Sequence, residues 1–172
     1  MANLIPDKVY RYNVYDDKEK LVGTTGEVTL PNLESMSETI SGPGILGEID
    51  SPNLGQFGST TIELSFRTLF QKSFSLLKNS GKPLILRAAQ QSYDSSSGAV
   101  TYRPLKITVK YLSKGLELGK LAEGAATESK NTLEVVYIKI EENSKVLLEL
   151  DKLNAIYVLD GEDMLKNINS MI

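Results

Sequence analysis

The sequence predicts a mainly β fold, an antiparallel β-barrel or sandwich of about eight strands with a flanking helix and a short C-terminal helix. Three observations carry that expectation. Residues 59–67 alternate cleanly: Ile62, Leu64 and Phe66 fall on one face and Thr61, Glu63, Ser65 and Arg67 on the other, the pattern of an antiparallel strand with one wet side. The polar run Asp94-Ser95-Ser96-Ser97-Gly98 separates two long strand-forming segments, which reads as a hairpin. Helical periodicity is confined to two short stretches, around Phe70 and at the C-terminus. At 172 residues the expectation is one domain spanning 1–172.

Taken in order, Val9–Tyr15 is rich in strand formers, and Asp16–Glu19 makes a polar turn. Leu21–Gly23 and Glu27–Leu30 read as short strands, the second closed by Pro31. Leu33–Ile40 reads as an extended, partly exposed strand or arm. Residues 41–58 follow as a long glycine-punctuated loop that carries Ile45, Leu46, Ile49, Leu54 and Phe57. Loops of that length are uncommon and normally polar, so these apolar groups call for a partner, the simplest being another copy of the chain.

After the 59–67 strand, Thr68 as N-cap and Gln71 at N3 spell a capping box, with Phe70, Phe74 and Leu77 as the buried stripe of a helix of about ten residues. Asn79-Ser80-Gly81 and Pro83 end it. Leu84–Tyr93 and Ala99–Leu112 form the hairpin pair. The apolar phase flips at Arg103-Pro104, which predicts a bulge or edge kink there, and Arg103, Lys106 and Lys110 give the hairpin a basic face. Residues 114–132 read as a second long loop. Leu133–Ile140, Lys145–Asp151 and Ile156–Leu159 are the last strands. Asp160 then caps a helix with Asp163 at N3 and Met164 or Leu165, Ile168 and Met171 as its stripe.

Composition excludes several chemistries. Apolar residues make up 41% and charged residues 24%, ordinary for a folded globular chain. The chain has no histidine and no cysteine. The commonest general base is therefore missing, as are the usual zinc ligands and any disulfide framework. No enzyme activity, metal or cofactor is expected. No apolar run reaches the length of a membrane-crossing helix, and the N-terminal residues lack a secretory pattern, so synthesis in the cytoplasm without a membrane anchor is expected. Net charge is −3, unevenly spread: −5 over residues 1–60, +6 over 61–112 and −4 over 113–172. Such segregation favours head-to-tail self-association unless the segments interleave in space.

Three motifs resolve into structural readings. Gly42-Pro43-Gly44-Ile45-Leu46-Gly47 spells G-x-G-x-x-G, but no compact strand precedes it, no helix follows it and Pro43 interrupts it, so it is a turn-rich loop. Glu141 and Glu142, adjacent on a strand end, point to opposite faces and share no substrate. Asp160-Gly161-Glu162-Asp163 lacks the spacing of a calcium loop.

Several segments together resemble the major tail tube protein of contractile-tailed bacteriophages and of the phage-tail-like bacteriocins (tailocins). They are Tyr12-Asn13-Val14-Tyr15-Asp16 with Leu21-Val22-Gly23, Glu27-Val28-Thr29-Leu30-Pro31-Asn32-Leu33, then Gly42, Gly44, Gly47, Glu48 and Asp50. Leu150–Asn154 and Gly161–Leu165 continue the likeness. The resemblance implies a β-barrel-like subunit that forms hexameric rings, stacked head to tail as a hollow tube whose inner barrel is shared by all subunits. It also implies sheath, baseplate and tail-terminator partners, assembly into a virion tail or an extracellular tail-like particle, and DNA only as passing cargo in a true phage. Within that frame Ile45, Leu46, Leu54 and Phe57 are expected at contacts between subunits, and Thr61, Glu63 and Ser65, the wet side of the cleanest strand, are expected to face the lumen. A tube of a type VI-like secretion system and a monomeric ligand-binding β-barrel are the rival readings.

Overall fold

The computed structural model describes residues 3–22 and 24–172, with the side chains of Thr25 and Gly26 outside the description; Gly23, part of one expected strand, lies outside it as well. Twelve strands and two short helices occur among the described residues. They are β1 (Leu4–Asp16), β2 (Glu19–Lys20), β3 (Thr24–Thr29), β4 (Ser35–Ile40), β5 (Ile49–Phe57) and β6 (Thr61–Phe66), then α1 (Gln71–Ser75). After it come β7 (Leu84–Asp94), β8 (Val100–Glu117), β9 (Ser129–Glu142), β10 (Lys145–Asp151), β11 (Ile156–Leu159), β12 (Glu162–Asp163) and α2 (Lys166–Asn169). The mainly β, antiparallel expectation holds.

Ten strands form one sheet in the order β12-β11-β10-β9-β8-β7-β1-β2, with β6 attached to β9 and β3 to β6. The branch lies in β9. One of its edges pairs with β8 from Lys130 to Glu142. The other is divided: Ser129–Glu134 pair with β6, and Tyr137–Glu142 pair with β10. Between the two halves Val136 is extra against Lys110 and Tyr111, so the side-chain phase flips there. The N–H of Val135 bonds the Thr60 carbonyl (2.8 Å), and the carbonyl of Val136 accepts from Lys152 N–H (3.0 Å). One residue thus sends the sheet in two directions and lets it fold over its own core.

That core is the inner row of each strand. Ile62, Leu64 and Phe66 are fully buried, with Leu84, Val109, Leu133 and Val135 against them and Val14 from β1 beside these. The 59–67 alternation is therefore read correctly from sequence. Alternation fails where a residue's partner is not in its own segment. α1 has five residues and buries Ser73, with Leu76 at its end, whereas Phe74 and Leu77 are exposed, contrary to the expected Phe70/Phe74/Leu77 stripe. The Phe70 ring packs edge-on against Phe66 (5.2 Å between centroids), which holds Phe70 extended (φ −154°) at the N-cap position, so the Thr68 capping box does not form.

The other departures are of the same kind. No register shift occurs between β7 and β8 at Arg103-Pro104; the β9 ladder begins only at Leu105, and beyond it Pro104 O accepts from Asn143 N–H (3.2 Å) in the turn after β9. Leu21 and Val22 are not strand; the short strand is Glu19–Lys20. Residues 114–132 shrink to a loop of 118–128, because β8 and β9 extend over the rest. That loop is pinned back by Thr127 N–H to Arg67 O (2.7 Å) and Lys120 N–H to Thr127 O (2.9 Å). Gly119 makes this possible: it has φ +79°, and a Cβ there would lie 2.0 Å from Thr127 O. At the C-terminus Glu162–Asp163 pair with β11, and the helix expected to be capped by Asp160 shortens to α2, with Leu165 at the N-cap position and no side-chain cap; Asp163 Oδ1 accepts from Leu165 N–H (3.0 Å) in the turn before it. Met164 and Leu165 pack on the core, while Ile168 and Met171 are exposed.

Two tyrosines tie stability to alkaline pH. Burial first, and then the Asp16 carboxylate, push the Tyr111 phenol up to about 12. Burial and the hydrogen bond from Tyr137 Oη to Glu149 (2.9 Å) raise Tyr137 as well. A phenol raised on folding contributes its full stabilisation below the unfolded value of about 10 and loses it as pH climbs through the folded value. Unfolding free energy should therefore hold up to pH 10 and fall between there and about 12; Tyr111→Phe should flatten that fall in denaturant titrations. Phe66→Ala should cost about 3–5 kcal/mol in the same assay.

Candidate functional site

The second sheet is a two-stranded arm, β4 and β5, whose pairing is confined to itself. Its base is anchored. Gly58 N–H bonds Glu34 O (3.1 Å), and Phe57 packs edge-on against Tyr157 of β11 (5.3 Å). Gly55, at φ +73°, lets the chain pass close to Leu165 and Tyr157. Between base and tip, Ile40 pairs with Ile49, Thr39 with Asp50 and Ser37 with Pro52; Thr39 Oγ1 donates to Asp50 Oδ1 (2.9 Å). The expected loop of 41–58 is thus corrected to a tip of 41–48. Residues 49–57 are strand, disguised in the sequence by Pro52 and Gly55 and by the irregularity that lets Ser35 pair with Phe57 but Ser37 with Pro52.

The arm is apolar and wet. Met36, Ile40, Leu46, Ile49 and Leu54 are all exposed, Leu46 completely (105%). Of the residues expected to contact another subunit, Leu46 and Leu54 face solvent, Ile45 is half-buried in the tip turn, and Phe57 is engaged with Tyr157 inside its own subunit. The arm is also one-signed. Between residues 31 and 58 stand Glu34, Glu38, Glu48 and Asp50 and no Lys or Arg. Among the described residues none of these carboxylates lies in an ion pair.

Thr61, Glu63 and Ser65 lie half-buried on the side of β6 opposite the buried Ile62, Leu64 and Phe66. They sit opposite Glu134, Thr132 and Lys130 of β9. Glu63 pairs with Lys130 (3.4 Å), which also reaches Glu117 (3.6 Å). Glu134 accepts from Ser59 Oγ (2.7 Å) and has Lys114 and Lys152 nearby (3.9 Å each). The strip is polar, charged of both signs and internally neutralised.

Sequence reading underestimated one further surface, the outer face of β1, β7 and β8. Arg11, Arg87 and Lys106 line a groove of about 680 Å³ there, floored by Ala89 and Pro104 and walled by Tyr15 and Tyr102. Lys106 is close to Glu141 (3.6 Å), and Arg103 is paired with Glu142 (2.6 Å). Arg87 lies over the Tyr15 ring (5.9 Å). Arg11 and Arg87 are exposed and in no ion pair among the described residues. The cross-strand pairs show that the middle and final segments interleave, while the acidic arm stays apart. The basic face of β8 was the available signal; β1 and β7 supplied the rest only once register placed them beside it.

No cluster of three or more potential metal ligands occurs among the described residues, and no helix is long and apolar enough to cross a membrane. A family model described as phage tail tube protein FII matches residues 6–172. The chain belongs to this family. A major tail tube protein of Serratia phage KSP20 is 25% identical over 161 residues, covering 93% of this chain and 91% of that protein. Two solved structures share the fold. The sheath/tube terminator of the extracellular contractile injection system PVC, in its extended state, superposes with a TM-score of 0.55 at 15% identity, over 80% of this chain and 97% of that one. The tube-terminating cap of the anti-feeding prophage gives 0.53 at 14%, over 77% and 88%. The role of this tail tube protein is structural, not enzymatic.

Gly55 offers a test of the arm's anchorage. Gly55→Ala places a Cβ 3.2 Å from Leu165 and 3.3 Å from Tyr157 in a left-handed conformation. It should cost about 1–2 kcal/mol and make the arm base the first site of limited proteolysis.

Proposed function

We propose that this tail tube protein assembles into hexameric rings that stack head to tail as the hollow inner tube of a contractile phage tail or phage-tail-like bacteriocin. In that role it serves as a conduit through the target cell envelope. The observation that carries the proposal is the arm: a folded, anchored hairpin that leaves Met36, Ile40, Leu46, Ile49 and Leu54 exposed to solvent. Contiguous exposed apolar surface marks an interaction site. A contact between two different patches of one chain closes into rings or extends into filaments, and a tube needs both.

In this reading Leu46 and Leu54, with Ile45 behind them, contact a neighbouring subunit, and Phe57 fixes the arm from which they project. Thr61, Glu63 and Ser65 face the lumen, where a polar strip without surplus positive charge lets a polyanion slide past without adhering. Sheath, baseplate and tail terminator are the remaining partners, and the protein is made in the bacterial cytoplasm before it joins the particle. A monomeric ligand-binding barrel fits less well, because the interior rows of β6, β7, β8 and β9 fill the core with apolar side chains exposed by 0–8%.

Electron microscopy of the concentrated protein should show rings or hollow filaments. Leu46→Asp and Leu54→Asp should reduce sedimentable polymer while leaving circular dichroism and the unfolding midpoint of the monomer unchanged, since both side chains are exposed. A wild-type chain that stays monomeric even when supplied with its tail baseplate overturns the proposal.

A further inference from the structure

One cross-strand row traverses the wet side of the large sheet. Tyr15 of β1 stands opposite Ile85, Ile85 opposite Thr108 and Thr108 opposite Lys139. Glu149 of β10, Val158 of β11 and Asp163 of β12 continue it to the far margin. The companion row from Val14 through Leu86, Ile107 and Leu148 faces the core. Residues two apart on a strand share a face. Arg87 therefore lies on the wet side near the β1 end, as does Arg11 opposite Ala89, and Asp151 lies there near the β12 end.

Charge is sorted along this row. At the β1 end Arg11 and Arg87 line the groove and take part in no ion pair among the described residues. In the middle Lys106 and Lys139 both reach Glu141 (3.6 and 3.8 Å), so that stretch is locally compensated. At the β12 end Glu149, Asp151 and Asp163 again take part in no ion pair among the described residues. Residues 149–165 hold Glu149, Asp151, Asp160, Glu162 and Asp163 against Lys152 alone, a net −4. The Lys152 ammonium is bonded to Gly58 O (2.9 Å) and Thr60 Oγ1 (2.7 Å). Leu153 and Ile156 are exposed in the same acidic stretch.

We infer that the β10–β12 margin of one copy stands against the β1–β7 margin of the next within a ring. Glu149 and Asp163 face Arg11 and Arg87, and Leu153 and Ile156 face the tyrosine walls of the groove. This rests on the tube reading above and names the two surfaces that close the ring. Side chains of the wet face make the contact, and backbone pairing takes no part in it. The two margins lie at opposite ends of one sheet and carry opposite charge. Unlike margins attract and like margins repel, so neighbours line up in one direction only, the heterologous arrangement that a closed ring requires.

The test uses the full chain. Arg11→Glu/Arg87→Glu should lower the yield of rings and sedimentable polymer by about tenfold or more, and so should Glu149→Lys/Asp163→Lys. Combining the four changes should restore assembly. A second measurement leaves the charges untouched: benzoylphenylalanine in place of the exposed Ile156, irradiated in assembled protein, should give cross-linked dimers joined to residues 4–16 or 84–106 of the other copy. Rescue together with that cross-link supports the contact. Wild-type rings or tubes in which rescue fails, or in which the cross-link maps elsewhere, overturn it and leave the tube reading standing. Arginine variants that assemble as the wild type does overturn it as well, whatever polyanion the groove binds. A wild type that forms no polymer with its baseplate removes the tube reading, and this contact with it.

Discussion

The constraint on which the rest of the structure depends is the divided edge of β9. A strand has two edges, and most strands spend each on one neighbour. β9 gives one edge wholly to β8 and splits the other between β6 and β10, with Val136 as the point of change. This converts a flat, many-stranded sheet into two leaves that close on a common core. β6, the most deeply buried strand, has its place only because β10 turns away after Asp151, where a tight turn begins. Burial pushes the Asp151 carboxyl up, yet bonds from the Asn154 side chain and the N–H groups of Asn154 and Leu153 outweigh it and hold it below its ordinary value. The ionised carboxylate thus closes the turn that frees the edge for β6.

The polar features follow from the same geometry. Because the sheet folds over one side, its other side is wet along its whole width, and charges from distant segments become cross-strand neighbours. Lys106 with Glu141 and Lys130 with Glu63 are pairs of that origin, partly exposed and individually worth little. Their main effect is to neutralise the wide face locally, whereas the acids of the arm and Arg11 and Arg87 take part in no ion pair among the described residues.

Legibility from sequence followed the range of the deciding interaction. Ile62, Leu64 and Phe66 announced their strand because each side chain faces the same core. The Asp94 hairpin was legible because its carboxylate bonds the Ser96 N–H and hydroxyl within the turn itself. Phe74 and Leu77 misled because the stripe they suggest competes with the Phe66–Phe70 ring contact, which is set by a strand. Residues 49–57 were hidden because Pro52 and Gly55 normally punctuate loops; a two-stranded ribbon with open edges tolerates both. The basic groove was half legible, since Lys106 stands in a visible basic face whereas Arg87 reaches it only through the pairing of β7 with β8.

The anchored base of the arm also has an entropic consequence. An unstructured loop of the same composition would lose backbone freedom worth about 1–2 kcal/mol for every residue fixed on capture. In this chain the pairing of Ile40 with Ile49 and of Thr39 with Asp50, together with the Phe57–Tyr157 contact, has already spent that freedom during folding. A neighbour that takes hold of the arm therefore receives a preorganised ribbon, and more of the interaction free energy remains available as affinity.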